Sequence, residues 1–261
     1  MQKPIGIFDS GIGGTSIWKE IQKLLPNEST IYLADSKNAP YGAKSKEAII
    51  DLSIKNVNIL LRKNCKLIVV ACNTATTNSI SFLRSNFDVP FIGIEPAIKP
   101  AALKTTTNNI GILATKGTLS SSLFSKTSQT FASNIQVVEQ IGTGIVELIE
   151  TGKLHSKEMT ALLITYLNPM LKANIDHLVL GCTHYPYLIP QIKDIVGPKV
   201  TIIDSGYAVA KQTKSILELN NLLNSNTLEG SHIFYTNNNK AVLNNLLATE
   251  TSNYTVKSKD F

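Results

Sequence analysis

Four strand-like segments of this chain recur in the same order roughly a hundred residues further on. The two copies keep a near-constant offset: Ile110 follows Ile5 by 105 positions, and Cys182 follows Cys72 by 110. The paired segments, each given by its first residue, are IGIFDSG at Ile5 with IGILATKG at Ile110, TIYLADS at Thr30 with NIQVVEQ at Asn134, LIVVACNT at Leu67 with LVLGCTH at Leu178, and PFIGIEPA at Pro90 with VTIIDSGYA at Val200. Order and spacing together predict an internal duplication.

Longer stretches with helical spacing follow the short apolar segments. After the first segment, Ile17, Ile21 and Leu24 recur at intervals of three and four residues, and Glu47–Leu61 is predicted to be a second helix. Strands that alternate with helices are typical of βαβ units and of a parallel sheet. The sequence therefore predicts an α/β fold of two pseudo-symmetric, flavodoxin-like parallel-sheet domains that arose by duplication.

The predicted domains divide the chain unevenly. We expect the first domain to comprise residues 1–97 together with 209–261, and the second to comprise residues 98–208. The stretch QTKSILELNNLL, from Gln212, has helical Leu/Ile spacing and is expected to pack back on the first domain. Ligands of open parallel sheets bind beyond the carboxyl ends of the strands. Because polar residues follow the strands in both halves, we expect the active site between the domains.

Composition excludes several classes of protein. The net charge is +6, but the only arginines are Arg62 and Arg84 and the lysines are scattered, which argues against a nucleic-acid partner. No apolar run approaches the roughly 18 residues of a membrane helix, and MQKPIGIFDS does not resemble a secretory leader. The three cysteines form no CxxC pair, which argues against a disulfide framework and a metal site. We expect a cytoplasmic protein.

A glycine-rich stretch, FDSGIGGTS, follows the first predicted strand. It lacks the spacing of a nucleotide-binding loop, since Ser16 stands where a third glycine would be and no GK[ST] follows. The glycines fit a tight strand-to-helix turn. Such a turn either serves only to connect the two elements or offers backbone N–H groups to an anion, and the sequence leaves both interpretations open.

Two of the three cysteines occupy equivalent positions in the two copies. Cys72 and Cys182 each follow a strand and precede polar residues, where an apolar core residue would contribute little. Cys65, at the start of a strand, is instead typical of a small buried core residue. His184 lies two positions after Cys182 and is a plausible partner for its thiol, while Asp9 ends the first strand on the Cys72 side.

Paired thiols suit a particular chemistry. A Cys–His–Asp hydrolase uses one nucleophile and gives no role to a second, equivalent cysteine. Two opposed thiols can instead remove a proton from one face of a carbon centre and return a proton to the other face. That reaction inverts the configuration of the carbon.

The motifs of the chain resemble those of the glutamate racemases, the cofactor-independent enzymes that supply D-glutamate for bacterial peptidoglycan. The resemblance covers nearly the whole chain and runs in the family's order. The motifs that carry it are GIFDSGIGG, PYG (40–42), ACNTAT (71–76), GIEPA (93–97) and GCTHYP (181–186). Small departures are Thr15, where a larger apolar residue is more common, and Tyr207, where an acidic residue is common.

The resemblance implies roles for individual residues. Cys72 and Cys182 would be the acid/base thiols, with Asp9, His184 and Glu150 as auxiliary catalytic groups. It implies no cofactor and no metal. The expected substrate contacts are Asp9, Ser10, Tyr41, Gly42, Asn73, Thr74, Thr76, Thr115, Thr118, Thr183 and His184.

Other functions remain open at the level of sequence. A racemase of the same fold could act on aspartate or another amino acid, because the residues that set pocket size cannot be read from the sequence. A non-catalytic amino-acid-binding protein of two α/β lobes would need hydrogen-bond donors but no paired cysteines. For partners, we expect L- and D-glutamate and a second copy of the chain in a homodimer, with no nucleic acid and no membrane.

Overall fold

Residues 3–261 are described by the computed structural model, and they form two parallel sheets flanked by helices. The strands are β1 (Ile5–Asp9), β2 (Thr30–Ala34), β3 (Leu67–Val70), β4 (Phe91–Gly93), β5 (Asn109–Ala114), β6 (Gln136–Ile141), β7 (His177–Gly181), β8 (Thr201–Ile203), β9 (His232–Thr236) and β10 (Tyr254–Ser258). The α-helices are α1 (Thr15–Leu24), α2 (Lys46–Arg62), α3 (Asn73–Asn86), α4 (Ile98–Lys104), α5 (Lys116–Leu119), α6 (Ser122–Phe131), α7 (Ile145–Glu150), α8 (Lys157–Lys172), α9 (Ile189–Val196), α10 (Gly206–Leu219) and α11 (Lys240–Leu247).

The order of strands repeats between the sheets. The first sheet runs β10-β9-β2-β1-β3-β4, and the second runs β6-β5-β7-β8. The four strands β2-β1-β3-β4 thus have the same arrangement as β6-β5-β7-β8, and every strand pair in both sheets is parallel. This topology confirms the α/β fold with two related parallel sheets that the repeated segments predict.

The C-terminal part of the chain adds to the first sheet in a way the sequence analysis missed. The predicted helix is present as α10, and it packs beside α1 as expected. Two further strands, β9 and β10, then extend the first sheet beyond β2. The run HIFYT carries a strand signal, because its residues alternate between buried and half-buried positions. The run YTVKS is largely exposed at the sheet edge and gives only a weak signal.

Aromatic side chains anchor the added strand β9 against α1. Trp18 and Phe234 meet edge to face, with ring centroids 4.8 Å apart, and both are fully buried. The indole N–H of Trp18 donates to the Thr30 hydroxyl at 2.9 Å, so the polar atom of this large side chain is satisfied in the core. These contacts fix α1, and with it the glycine-rich turn before α1, on the first sheet.

A buried ion pair ties the segment after α10 to the first sheet. Lys66, just before β3, lies 2.7 Å from a carboxylate oxygen of Glu28, and both side chains are almost inaccessible to solvent. The Lys66 ammonium also donates to the Leu222 carbonyl at 2.7 Å, and the Asn224 N–H donates to Glu28 at 2.7 Å. Each charge therefore has a partner and further hydrogen bonds.

Within residues 3–261 no helix is both long and apolar enough to span a bilayer.

Removal of one member of this pair should cost much more stability than removal of both. Lys66→Met leaves the Glu28 carboxylate buried without its cation, and we expect a loss of about 3–5 kcal/mol in the free energy of unfolding. The double variant Lys66→Met/Glu28→Gln keeps an acceptor for Asn224 and should lose only about 1 kcal/mol. Urea unfolding of the parent, both single variants and the double variant measures the difference. Equal losses in the single and double variants would contradict this account.

Candidate active site between the two sheets

A cavity opens where the carboxyl ends of the two sheets face each other. The cavity is narrow, with about 10 Å³ open to the centre of a water-sized sphere, and both copies of the duplicated strand-end motif contribute to its wall. Its lining residues are Ser10, Pro40, Tyr41, Gly42, Cys72, Asn73, Thr74, Thr115, Val146, Gly181, Cys182, Thr183 and His184. The two strand-end cysteines therefore lie on one cavity, as the duplication predicts.

Cys72 occupies the position where β3 gives way to α3. Its backbone is extended, and its sulfur accepts the N–H of Ala75 at 3.4 Å, so the thiol caps the helix N-terminus. The Ser10 hydroxyl lies 3.7 Å from the sulfur. Burial raises the pKa of the Cys72 thiol well above its ordinary value, and the nearby Asp9 carboxylate raises it further. Cys72 is consequently held as a neutral thiol in this state of the site.

Cys182 follows β7 and has a different neighbour. Its sulfur lies 3.7 Å from Nδ1 of His184, and Nε2 of the same ring lies 2.6 Å from a carboxylate oxygen of Glu150. Burial lowers the pKa of His184, but the hydrogen bonds to Cys182 and Glu150 outweigh it and raise that pKa well above 6.5. A protonated imidazole can donate from both nitrogens, so the geometry favours a cationic His184 between a sulfur and a carboxylate.

Asp9 lies behind the cavity rather than on its wall. Its carboxylate is fully buried and accepts the N–H of Gly14 at 2.7 Å and the Thr183 hydroxyl at 3.4 Å. Burial raises the pKa of Asp9 above its ordinary value, while His184 acts in the opposite direction. Because Thr183 lines the cavity, Asp9 reaches the cavity wall through that hydroxyl.

The glycine-rich turn is packed against the catalytic candidates of the second sheet. A Cβ atom on Gly11 would lie 1.9 Å from a Glu150 oxygen, and one on Gly13 would lie 2.3 Å from the His184 ring. The N–H of Ile12 donates to Glu150 at 2.6 Å. The N–H groups at Ile12 and Gly14 thus bind carboxylates of the protein itself. The turn therefore does more than connect β1 to α1: it brings backbone donors to two internal anions.

Polar side chains of α3 and of the β5–α5 junction face each other across the cavity mouth. The Thr74 hydroxyl lies 2.8 Å from that of Thr115, and Thr118 lies within 3.3 Å of Thr74 and 3.0 Å of Thr115. Thr118 is fully buried behind this pair and does not reach the cavity wall described above. Asn73 lines the cavity, and its buried amide oxygen has no hydrogen-bond partner within residues 3–261. That oxygen is an acceptor for a ligand donor such as an ammonium group.

Tyr41 and Gly42, expected substrate contacts, lie on the cavity wall. Gly42 packs so closely that a Cβ there would lie 2.8 Å from Thr115. Thr76, in contrast, is directed elsewhere: its hydroxyl donates to the Val70 carbonyl and accepts the Ile94 N–H, both at 3.0 Å. The Thr76 hydroxyl thus links β3 to the end of β4, and Thr76 does not line the cavity, so its contact with a substrate stays a prediction.

Three lining residues escaped the sequence analysis: Pro40, Val146 and Gly181. Pro40 and Gly181 lie inside motifs that the analysis did use, so their proximity to Tyr41 and Cys182 was an available signal. Val146 occupies an ordinary apolar position of α7, which a sequence cannot distinguish from a core residue.

In the part of the chain that the structure describes, no group of three or more His, Cys, Asp or Glu side chains is arranged to hold a metal ion.

Comparison with known proteins identifies the family of this chain. The model of the Asp/Glu/Hydantoin racemase family matches residues 5–213. The chain belongs to this racemase family. A glutamate racemase of Herpetosiphon aurantiacus is 47% identical over 229 residues, which cover 88% of this chain and 90% of that protein.

Solved structures of the family share the whole fold. The glutamate racemase isoform RacE1 of Bacillus anthracis superposes with a TM-score of 0.88 at 31% identity, covering 99% of this chain and 98% of that one. Escherichia coli glutamate racemase, crystallised with L-glutamate and the activator UDP-MurNAc-Ala, gives a TM-score of 0.86 at 33% identity, with coverage of 99% and 98%. The two-sheet architecture described here is thus that of the racemase family.

The contact between the glycine-rich turn and His184 can be tested by adding one methyl group. In the parent, we expect the His184 ring to titrate with a midpoint well above 6.5, because Cys182 and Glu150 stabilise its cation. Gly13→Ala should push the ring away from Glu150 and lower that midpoint. NMR titration of the imidazole signals measures it, with His184→Asn to assign the signal.

A second glycine provides the control for loss of stability alone. Gly197 has a positive φ of 72°, and a methyl group added there would meet no atom within 4 Å, so Gly197→Ala strains only the backbone. This variant should leave the His184 midpoint unchanged. An unchanged midpoint in Gly13→Ala as well would contradict the proposed contact.

Proposed function

We propose that this chain is a glutamate racemase that interconverts L- and D-glutamate by proton transfer between two thiols. The observation that carries the proposal is that Cys72 and Cys182, at equivalent strand ends of the duplicated sheets, line one cavity. A substrate held between them presents one face of its α-carbon to each sulfur. One thiolate removes the α-proton while the opposite thiol supplies a proton, so neither transfer requires diffusion.

The two thiols have unequal surroundings, and this sets the resting protonation state in the proposal. His184 lies 3.7 Å from the Cys182 sulfur, and as a cation it can donate a hydrogen bond to that sulfur. Cys72, next to Asp9 and deeply buried, is favoured as the neutral thiol. The resting enzyme would therefore be ready to deprotonate L-glutamate with Cys182 and to protonate the opposite face from Cys72. We assign D-glutamate deprotonation to Cys72.

The chemistry also needs stabilisation of a carbanion next to a carboxylate. A turnover between 1 and 10³ per second corresponds to a barrier of roughly 13–17 kcal/mol. We propose that the cavity provides fixed donors for this purpose at the ends of both sheets, without pyridoxal phosphate or metal. The proposed donors and acceptors on the wall are Ser10, Tyr41, the backbone of Gly42, Asn73, Thr74, Thr115, Thr183 and His184, with Thr118 supporting Thr115. Preorganised dipoles of this kind stabilise developing charge most effectively where water is excluded.

Glutamate is favoured over aspartate by similarity to relatives that carry this activity. Curated relatives that are 42–47% identical over most of the chain are named glutamate racemases. We further propose that the product D-glutamate supplies peptidoglycan synthesis, that the enzyme is cytoplasmic, and that it forms a homodimer. These three points rest on the family resemblance, and the free thiols of all three cysteines agree with a reducing compartment.

The activity can be measured directly with purified protein. After dialysis against a chelator, and without added pyridoxal phosphate, the protein should convert either enantiomer of glutamate to the racemic mixture, followed by circular dichroism. Aspartate in parallel assays should react at least about a hundredfold more slowly in kcat/KM, because a shorter side chain loses its matched contacts. Absence of glutamate turnover, or faster aspartate turnover, would reject the assignment.

The two-thiol mechanism predicts that each cysteine serves one enantiomer. Serine is a far poorer base than cysteine at neutral pH, so Cys72→Ser and Cys182→Ser should both lose racemisation by several orders of magnitude. In deuterated water, Cys72→Ser should still exchange the α-hydrogen of L-glutamate, because Cys182 remains. Cys182→Ser should exchange only that of D-glutamate. Proton NMR of the recovered amino acid measures both rates.

Cys65 supplies the matched control for these substitutions. Burial raises the pKa of its thiol to about 12, and it packs in the core beside Gly6, away from the cavity. Cys65→Ser should racemise like the parent. Near-normal racemisation by either strand-end variant would overturn the two-thiol mechanism, whereas a reversed exchange pattern would overturn only the assignment of faces.

A further inference from the structure

A second buried carboxylate, outside the proton-transfer groups, lies beneath the cavity wall. Asp35 follows β2, is fully buried, and accepts hydrogen bonds from four side chains in three parts of the chain. The Asn38 amide donates at 2.8 Å, the Tyr41 hydroxyl at 2.6 Å and the Lys55 ammonium at 3.1 and 3.2 Å. The fourth donor is the side-chain amide of Asn237, which follows β9.

Tyr41 connects this carboxylate to the cavity. Its hydroxyl donates to Asp35 and accepts the Asn56 amide at 3.1 Å, and its ring is almost fully buried on the cavity wall. The two neighbours of Tyr41, Pro40 and Gly42, line the same cavity. The position of the Tyr41 hydroxyl therefore determines where the segment 40–42 stands relative to a bound substrate.

Lys55 and Asn237 reach Asp35 from elements that do not touch the cavity. Lys55 lies on α2, forms the salt bridge to Asp35, and also donates to the Phe261 backbone oxygen at 3.2 Å. Asn237 uses both ends of its amide: the nitrogen donates to Asp35, and the oxygen accepts the Lys37 N–H at 2.9 Å. Asn237 thus binds both the carboxylate and the segment that leads from it to Tyr41.

Lys55 contributes a positive charge to the surroundings of the Asp35 carboxylate as well as hydrogen bonds. The Asp35 carboxylate is buried, and Lys55 is the cation that the structure places in a salt bridge with it. A buried carboxylate without its cation is strongly disfavoured, so the donors that remain on Asp35 must rearrange around it when Lys55 is removed. The nearest donor on the cavity side is the Tyr41 hydroxyl, so loss of Lys55 is transmitted to Tyr41.

We propose that Lys55 and Asn237 are positioning residues for the substrate. Through Asp35 they hold the segment 40–42, which includes Tyr41, at the position where this segment contacts glutamate. The identity of the substrate as glutamate rests on the proposed function. The positioning itself rests only on the contacts of Asp35. Neither Lys55 nor Asn237 lines the cavity, so neither touches the reacting atoms.

Steady-state kinetics separates positioning from chemistry. In Lys55→Met and Asn237→Ala, KM for glutamate should rise about tenfold, comparable to the loss of one hydrogen bond to a charged group. The value of kcat should stay within about twofold, because the thiols are undisturbed. Since the two enantiomers have equal free energy, kcat/KM should fall by the same factor in both directions. Lys55→Arg restores the cation and should recover KM to within about threefold of the parent.

Two neighbouring residues provide matched controls. Lys63, just after α2, donates to the Tyr235 hydroxyl at 3.1 Å and lies over its ring, so Lys63→Met removes a lysine–tyrosine contact that does not involve Asp35. Asn238→Ala removes the side-chain amide of the residue next to Asn237. The oxygen of the Asn238 amide accepts the Asn239 N–H, and this amide has no hydrogen bond to Asp35. Both controls should keep the parent's KM.

Hydrogen–deuterium exchange tests the positioning without any substrate. Backbone amides of residues 36–45 should exchange at least about fivefold faster in Lys55→Met and Asn237→Ala than in the parent, and at the parent's rate in Lys55→Arg and both controls. Unchanged exchange in these residues would overturn the proposal, even if the parent racemises glutamate. Faster exchange in a protein that does not racemise glutamate would support the positioning and reject the proposed function. Faster exchange with an unchanged KM would restrict Lys55 and Asn237 to a structural role and so also overturn the proposal.

Discussion

The contact between the glycine-rich turn of the first sheet and the Glu150–His184 pair of the second is the constraint on which the site depends. Gly11 and Gly13 have no side chains, which leaves room for the Glu150 carboxylate beside Gly11 and for the His184 ring beside Gly13. The Ile12 N–H donates to Glu150. A larger residue at either position would displace the Glu150 carboxylate or the His184 ring. The turn therefore fixes this pair, and it orients the histidine beside Cys182.

Duplication explains the likeness of the two halves but not their electrostatics. Cys72 and Cys182 end equivalent strands, yet Cys72 caps a helix beside Asp9 whereas Cys182 faces His184. Identical surroundings would give both sulfurs the same protonation state, and proton transfer across a substrate needs one base and one acid. In the two-thiol mechanism that we propose, the different residues around the two sulfurs allow one sulfur to act as the base and the other as the acid.

The sequence predicted the parts of this fold that repeat or that carry a strong pattern. The duplicated segments indicated both sheets and located Cys72 and Cys182 on one cavity. Strand β9 was missed although HIFYT is rich in residues that favour strands, whereas β10 was missed because it is an exposed edge strand with little apolar content. A threonine within a polar motif has no sequence signal for its rotamer, so the hydrogen bonds of the Thr76 hydroxyl to Val70 and Ile94 could not be predicted. Val146 was invisible because a cavity wall and a core use the same apolar residues.

The unequal thiols have a consequence for the proposed catalytic cycle. Conversion of L- to D-glutamate leaves Cys182 protonated beside His184 and Cys72 as a thiolate beside Asp9. That state combines a buried thiolate with a neighbouring carboxylate, the combination that raises the pKa of Cys72. Return of the proton to Cys72 is therefore favourable, whereas the state that deprotonates D-glutamate is the higher in free energy. Because L- and D-glutamate have equal free energy, kcat/KM must be the same in both directions, but the unequal free energies of the two protonation states allow KM and kcat to differ between them.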